Sequence, residues 1–175
     1  MPVASSLTNA ASQPRQDLRD DPPVTRGRGV GLPRPLICSY TCRVKLRQLL
    51  NLLNLTTPAG LLLARAGQCK VVRGPDGLLL ASNWTWPLPK AAAFTLGNVI
   101  LYRPRAAGAF QTRPVGSSPL LRHEARHATQ YACLGPAFFP AYFLAAGLSQ
   151  LRSGDPASRN VFERLAGLRD GGYRH

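Results

Sequence analysis

The sequence predicts an α+β fold, in which a short antiparallel sheet precedes a set of helices. Apolar runs at 70–73 and 78–82 flank the turn sequence GPDG, a pattern typical of two strands joined by a tight turn. A further strand is predicted at Phe94–Tyr102, and Gly60–Ala66 is a candidate for another. We therefore expect a small antiparallel meander placed before the helix that is predicted next.

The helix with the clearest boundaries is predicted over Pro119–Leu134. Ser118 is a good N-cap, and Pro119 falls at the first helical position, where its missing N–H costs nothing. Gly135 and Pro136 end the helix, because glycine is common just after a helix C-terminus and proline cannot continue the helix.

This helix contains an HExxH motif formed by His123, Glu124 and His127. Histidines four residues apart differ by about 40° around a helix, so both imidazoles can reach one metal ion. The glutamate between them lies at the rim of the same face, close enough to act on a metal-bound water. The motif is the layout of a hydrolytic zinc site. The alternative is an amphipathic helix whose histidines are only structural.

A zinc ion that keeps one position for water needs a third protein ligand. Four downstream residues are candidates: Asp155, Glu163, Asp170 and His175. Glu163 is preferred, because Asp155 and Pro156 look like an N-cap and first helical residue, which places Glu163 about two turns into a helix. Ala166 shares its face, and its small side chain would let the two helices approach.

The HEARH pentad and the later segment NVFERLA resemble the gluzincin branch of the zincin metallopeptidases. Within that branch the chain is similar to small bacterial HExxH-x-x-Q domains, with Gln130 as the glutamine, and the resemblance covers about Phe94–Tyr173. It implies a small zincin-like domain with zinc (Zn²⁺) bound by His123, His127 and Glu163, and with Glu124 as the general base.

The same resemblance suggests supporting roles for other residues. Zincins bind the substrate backbone along an edge strand, which would be Gly97–Tyr102 here. The alternative is that this strand is only part of the sheet core. Tyr173, Tyr131 and His175 are the candidates for stabilising an oxyanion, and either Asp170 or backbone carbonyls would orient the ligating histidines. The chain departs from the family at positions 125 and 126, where alanine and arginine replace the usual bulky apolar residues.

Two further helices are predicted from apolar patterning, at Cys42–Leu55 and Ala137–Leu151. The second is apolar on nearly every side, so it is either a buried helix or a membrane-surface helix. Its unbroken apolar stretch is too short to span a bilayer, and we expect a buried core helix between the HExxH helix and the third-ligand helix.

Composition predicts one domain, residues 36–175, preceded by a disordered tail over residues 1–35 that is rich in Pro and Arg. No secretory signal and no transmembrane segment are recognised, so the expected location is the cytoplasm. The net charge of +14 is compatible with nucleic acid or an anionic surface as a partner. No nucleic-acid-binding motif accompanies this charge, so no specific nucleic-acid partner is predicted.

Three functions are consistent with these patterns. The first is a zinc-dependent metallopeptidase or amide hydrolase acting on a peptide or protein substrate, with Glu124 as general base toward a metal-activated water. The second is a non-catalytic domain stabilised by zinc. The third is a basic protein that binds nucleic acid or an anionic surface on a zincin scaffold. No cofactor other than zinc is predicted, and the sequence does not indicate an oligomeric state.

Overall fold

A computed structural model describes residues 34–111 and 118–173, with side chains from residue 39 onward. These residues belong to one compact unit, Pro33–His175. The predicted tail over residues 1–35 lies outside the described residues except for Arg34 and Pro35, which belong to the first helix. The elements in chain order are α1 (Arg34–Leu53), α2 (Thr56–Ala66), β1 (Lys70–Arg73), β2 (Leu79–Ser82), β3 (Ala93–Leu96), β4 (Val99–Tyr102), α3 (Ala107–Gln111), α4 (Pro119–Leu134), α5 (Phe138–Ser153) and α6 (Val161–Ala166).

The α+β class is confirmed, but the sheet is mixed rather than an antiparallel meander. Its strand order is β1-β2-β4-β3, with β1 antiparallel to β2, β4 parallel to β2, and β3 antiparallel to β4. The predicted hairpin of β1 and β2 is confirmed. The next hairpin brings its second strand, β4, beside β2, and this connection makes the central pair parallel.

The single strand predicted over Phe94–Tyr102 is two strands that reverse direction at Gly97 and Asn98. Gly97 has a φ of 63°, a conformation that favours glycine. A Cβ at this position would also lie 2.4 Å from the backbone nitrogen of Thr57. The turn therefore depends on glycine for its conformation and for its close packing against α2.

The candidate strand at Gly60–Ala66 is wrong, because these residues are helical and belong to α2. A short apolar run does not distinguish a strand from a helix by periodicity alone. Gly60 lies where this helix crosses the β3–β4 hairpin, and a Cβ there would be 2.6 Å from the carbonyl oxygen of Leu96. This glycine serves close packing between α2 and the sheet.

Helices cover both faces of the sheet, which explains why all four residues of the central strand β4 are buried. Ile100 and Tyr102 point to one face and pack with Phe110 of α3 and with the apolar residues of α4. Val99 and Leu101 point to the other face, where α2 and Trp84 pack. The sheet thus supports α4 from behind, with β3 as the strand that α4 contacts.

The expectation that the apolar segment after α4 is a buried core helix is wrong. The segment forms α5 close to the predicted bounds, but only Phe138 and Ser149 are buried. The helix packs on α4 and α6 along one side, and no described element covers the other side. By length and composition alone, the helical stretch Pro119–Ser153 is apolar enough to cross a membrane. The α4 part of this stretch contributes to the core of the protein.

Candidate metal centre

Helix α4 positions the HExxH motif, and its bounds are those predicted from the capping residues. The Ser118 side chain accepts a hydrogen bond from the backbone nitrogen of Leu121, and Pro119 occupies the first turn. His123, Glu124 and His127 all lie on the buried side of the helix. The local sequence therefore accounts for the three side chains pointing into the protein together.

Helix α6 supplies Glu163, but the helix begins later than predicted. Its N-cap is Asn160, whose side chain accepts a hydrogen bond from the backbone nitrogen of Phe162, so Glu163 lies in the first turn. Asp155 instead accepts hydrogen bonds from the backbone nitrogens of Ala157 and Ser158. Asp155 thus stabilises the turn after α5 and is not a member of the cluster.

The side chains of His123, His127 and Glu163 converge in the interior. His123 Nε2 lies 3.1 Å from His127 Nε2 and 3.2 Å from Glu163 Oε2, and His127 Nε2 lies 3.7 Å from Glu163 Oε1. All three residues are buried, and their ligand atoms lie within 4.8 Å of one another. These three residues could therefore hold a metal ion.

The spacing suits a small tetrahedral ion. Zinc bonds of 2.0–2.1 Å in tetrahedral geometry place neighbouring ligand atoms about 3.3 Å apart, close to the separations observed among these nitrogen and oxygen atoms. Glu163 Oε2 is also buried and makes no hydrogen bond. A buried carboxylate oxygen that accepts no hydrogen bond is costly, and a bound cation would satisfy it.

The other ring nitrogen of each histidine faces an acceptor. His123 Nδ1 lies 3.2 Å from the carbonyl oxygen of Ala166 and 3.1 Å from that of Gly167. His127 Nδ1 lies 2.7 Å from Gln130 Oε1, and the amide nitrogen of Gln130 donates to a carbonyl of α6. Such contacts fix the rings so that both Nε2 atoms point to the centre. Backbone carbonyls were one of the two predicted sources of this support.

Asp170, the other predicted source, does not contact a histidine. It accepts hydrogen bonds from Arg126 at 2.8 Å and from Arg122 at 3.2 Å, and these contacts hold the pKa of its carboxyl below the usual range. Arg126 also donates to the carbonyl oxygen of Ala166 at 2.6 Å. Arg126 therefore ties the HExxH helix to the end of α6.

Glu124 lies beside the cluster and against the sheet. Its side chain is buried, and Thr95 of β3 donates a hydrogen bond to its Oε2 at 2.6 Å. Burial raises the pKa of the Glu124 carboxyl, against the opposing effects of His127 and of the Thr95 hydrogen bond. Thr95 was not predicted, since a lone threonine in a strand carries no functional signal.

Tyr142 is a second side chain that the sequence did not identify. It lies on the inner side of α5 and donates a hydrogen bond to Glu163 Oε1. Burial and the nearby Glu163 carboxylate both raise the pKa of its hydroxyl. The one sequence signal is a hydroxyl-bearing residue four positions after the buried Phe138, on an otherwise apolar helix.

The predicted oxyanion candidates have different surroundings. The ring of Tyr173 lies 6.2 Å from that of His123, so it borders the cluster. Tyr131 packs against Phe138 with ring centroids 4.4 Å apart, and burial raises the pKa of its hydroxyl to about 12. His175 lies outside the described residues.

Gly97–Tyr102 was predicted to be the edge strand that binds a substrate backbone, and this prediction is wrong. Val99–Tyr102 form β4, which pairs with β2 on one side and β3 on the other, so its backbone has no free edge. The end of the sheet beside α4 is β3, Ala93–Leu96, which also carries the Thr95 contact to Glu124.

No protein-family model, curated protein or solved structure matches this chain.

Proposed function

We propose that the protein is a zinc-dependent hydrolase that cleaves amide bonds in a peptide or protein substrate. The observation that carries this proposal is the buried cluster of His123, His127 and Glu163, with the Glu124 carboxylate on the same face of α4. Two imidazoles and one carboxylate leave the fourth position of a tetrahedral zinc free, which distinguishes catalytic sites from closed structural ones.

Zinc is the metal that the donor set favours. Imidazole nitrogens suit zinc, copper, iron and nickel, whereas calcium and magnesium prefer oxygen ligands. Of these metals, zinc most often takes a tetrahedral site with two histidines and one glutamate, and the short distances between Nε2 and carboxylate atoms support that geometry.

The chain supplies the groups that move and orient protons. When bound, zinc would act as a Lewis acid and lower the pKa of a water molecule toward neutrality. Glu124 accepts the proton of the attacking water and passes it to the leaving amine. Thr95 orients the Glu124 carboxylate through its hydrogen bond, and Tyr142 orients Glu163. We assign the donation to an oxyanion to Tyr173, because its ring borders that of His123.

The free edge of β3 provides a binding mode for an extended substrate. A peptide that pairs with β3 would add a strand to the sheet next to α4, with main-chain hydrogen bonds supplying the affinity. Thr95 belongs to this strand and contacts Glu124, so the added strand would run past the general base. This arrangement favours polypeptides over small amides as substrates.

One observation favours the alternative of a zinc-stabilised domain without activity. Glu124 is only 3% exposed and already hydrogen-bonded to Thr95. A carboxylate held in this way would serve the packing of α4 on β3, and the metal would then contribute only to folding.

The Glu124→Gln variant separates the two functions. In the hydrolase, this change removes proton transfer and lowers the rate of peptide cleavage by about 10²–10⁴-fold, while zinc content stays at the wild-type level. The assay is cleavage of a quenched-fluorescence peptide library by zinc-loaded protein. Asp76→Asn, the same chemical change in the β1–β2 turn, is the control and leaves the rate unchanged. A zinc-loaded wild type that cleaves no peptide, or a variant as active as wild type, would overturn the proposal.

A further inference from the structure

The outer side of α5 is a continuous apolar surface. Phe139, Phe143, Leu144 and Leu151 are 56%, 56%, 67% and 84% exposed, and they lie on the side opposite Phe138, which packs into the core. Four turns of helix present no acidic residue, and the one basic residue, Arg152, is in the last turn. Contiguous apolar surfaces of this kind mark sites of interaction with other proteins or with membranes.

Helix α1 carries a second exposed apolar stripe. Its leucines at positions 46, 49, 50 and 53 have the spacing of one helical stripe and are exposed, whereas the polar Asn51 is fully buried. Asn54, just after α1, donates a hydrogen bond to the carbonyl oxygen of Tyr131 and lies beside Gly135. The end of this stripe therefore lies near the corner between α4 and α5.

Exposed cations lie on both helices. Arg43 and Lys45 on α1 and Arg152 on α5 are exposed, and none of them forms an ion pair with a described residue. Each acidic residue that the structure describes accepts a hydrogen bond from another group: Asp76, Glu124, Asp155, Glu163 and Asp170. The leucine stripe of α1 therefore follows two unpaired cations along the helix, and the apolar side of α5 ends at a third.

We propose that α5, together with the exposed leucines at the end of α1, docks on an anionic lipid bilayer and lies in its interfacial region. Apolar side chains bordered by Arg and Lys are the pattern of interfacial helices, in which apolar burial and attraction to anionic lipids act together. A second copy of this chain would bring two molecules of net charge +14 together. A protein partner needs hydrogen-bonding groups at the rim, and the outer side of α5 offers only Gln150 and Arg152 near its end.

Docking through α5 has a consequence for the metal centre. Tyr142, on the inner side of the same helix, donates to Glu163, while its neighbour Phe143 lies on the outer side. The centre would therefore lie about one helix diameter, roughly 10 Å, from the lipid surface. This inference does not depend on the proposed hydrolase activity.

Vesicle sedimentation of the full chain tests the proposal. We expect binding to vesicles of phosphatidylcholine and phosphatidylserine in equal parts, weaker binding to phosphatidylcholine alone, and a decrease with added salt. Leu144→Ser should weaken binding by about tenfold. Leu88→Ser, at 66% exposure between β2 and β3, is the matched control and should bind as wild type does. Thermal unfolding verifies that both variants are folded.

A second measurement reports the orientation of the helix. The Phe143→Trp variant carries a third tryptophan, whose fluorescence brominated lipids should quench. This quenching should exceed any that is seen for Trp84 and Trp86 in the wild type. No binding to anionic vesicles, equal binding by the two serine variants, or absence of the added quenching would overturn the proposal. If the protein does not bind vesicles but forms a dimer, and Leu144→Ser dissociates this dimer, the occupant of the surface is a second copy of the chain.

Discussion

Glu163 depends on a neighbour from another helix for its orientation. One carboxylate oxygen accepts the Tyr142 hydrogen bond, and the other, without a hydrogen bond, lies 3.2 Å from His123 Nε2. A carboxylate free to rotate would lose this geometry. Tyr142 is therefore a positioning residue for Glu163 in the candidate metal centre.

Tyr142→Phe should lower zinc affinity by about 10–100-fold, the usual effect of removing a group that orients a metal ligand. The affinity is measured by competition with a chromophoric chelator. Tyr131→Phe is the matched control, because that hydroxyl lies on α4 against Phe138 and has no described contact with Glu163. Equal affinities in the two variants would show that Tyr142 is not needed to orient Glu163.

Among the residues of the site, the sequence identified by spacing only those that belong to one local motif. The HExxH residues share one helix, so their spacing alone predicts that they converge. Thr95 and Tyr142 come from a strand and a helix that reach the site through tertiary packing. No local pattern marks them. Asp170 was one of two candidates for orienting the histidines, and the structure pairs it with arginines instead.

Among the elements, α2 depends on close contact with the sheet. Gly60 lies in the middle of the helix, where alanine normally stabilises by about 0.5–1 kcal/mol. A Cβ there would instead lie 2.6 Å from the Leu96 carbonyl oxygen and 2.9 Å from Val99 Cβ, both of them inflexible neighbours. Steric overlap of this kind typically costs about 1–3 kcal/mol, so the clash outweighs the helix propensity.

Gly60→Ala should therefore lower the free energy of unfolding by about 1–2 kcal/mol. Gly147→Ala in α5, where a Cβ would meet nothing within 4 Å, should raise it by roughly 0.5–1 kcal/mol. Urea unfolding of both variants gives the comparison. If both alanines stabilise the protein, α2 does not pack on the sheet as closely as described.

Capping residues explain which helices were predicted well. Ser118 and Gly135 fix both ends of α4, and that helix has its predicted bounds. For α6, Asp155 and Asn160 are both plausible N-caps, and only the turn that Asp155 binds excludes it. The β3–β4 turn was missed because the apolar residues on both sides of Gly97 read as one run.

At the scale of the whole molecule, the sheet, α4, α5 and α6 converge on one buried polar centre. α4 contributes two ligands, α6 the third, α5 the tyrosine, and β3 the threonine. The α+β class and the convergence of His123 and His127 were predictable from periodicity and spacing, whereas Glu163 was preferred among four candidates on a helix start that the structure places five residues later. The exposure of α5 was not predictable, because an apolar sequence is compatible both with a helix buried in the core and with a helix exposed on one side.

The zinc content of purified, zinc-loaded protein tests the central claim most directly. Wild type and three variants, His123→Ala, Glu163→Ala and Asp155→Ala, are compared by elemental analysis after removal of loosely bound metal. The structure predicts one equivalent in wild type and in Asp155→Ala, whose carboxylate only binds backbone nitrogens, and loss of the metal from the other two. Absence of zinc from wild type, or its retention in Glu163→Ala, would contradict a three-ligand zinc centre.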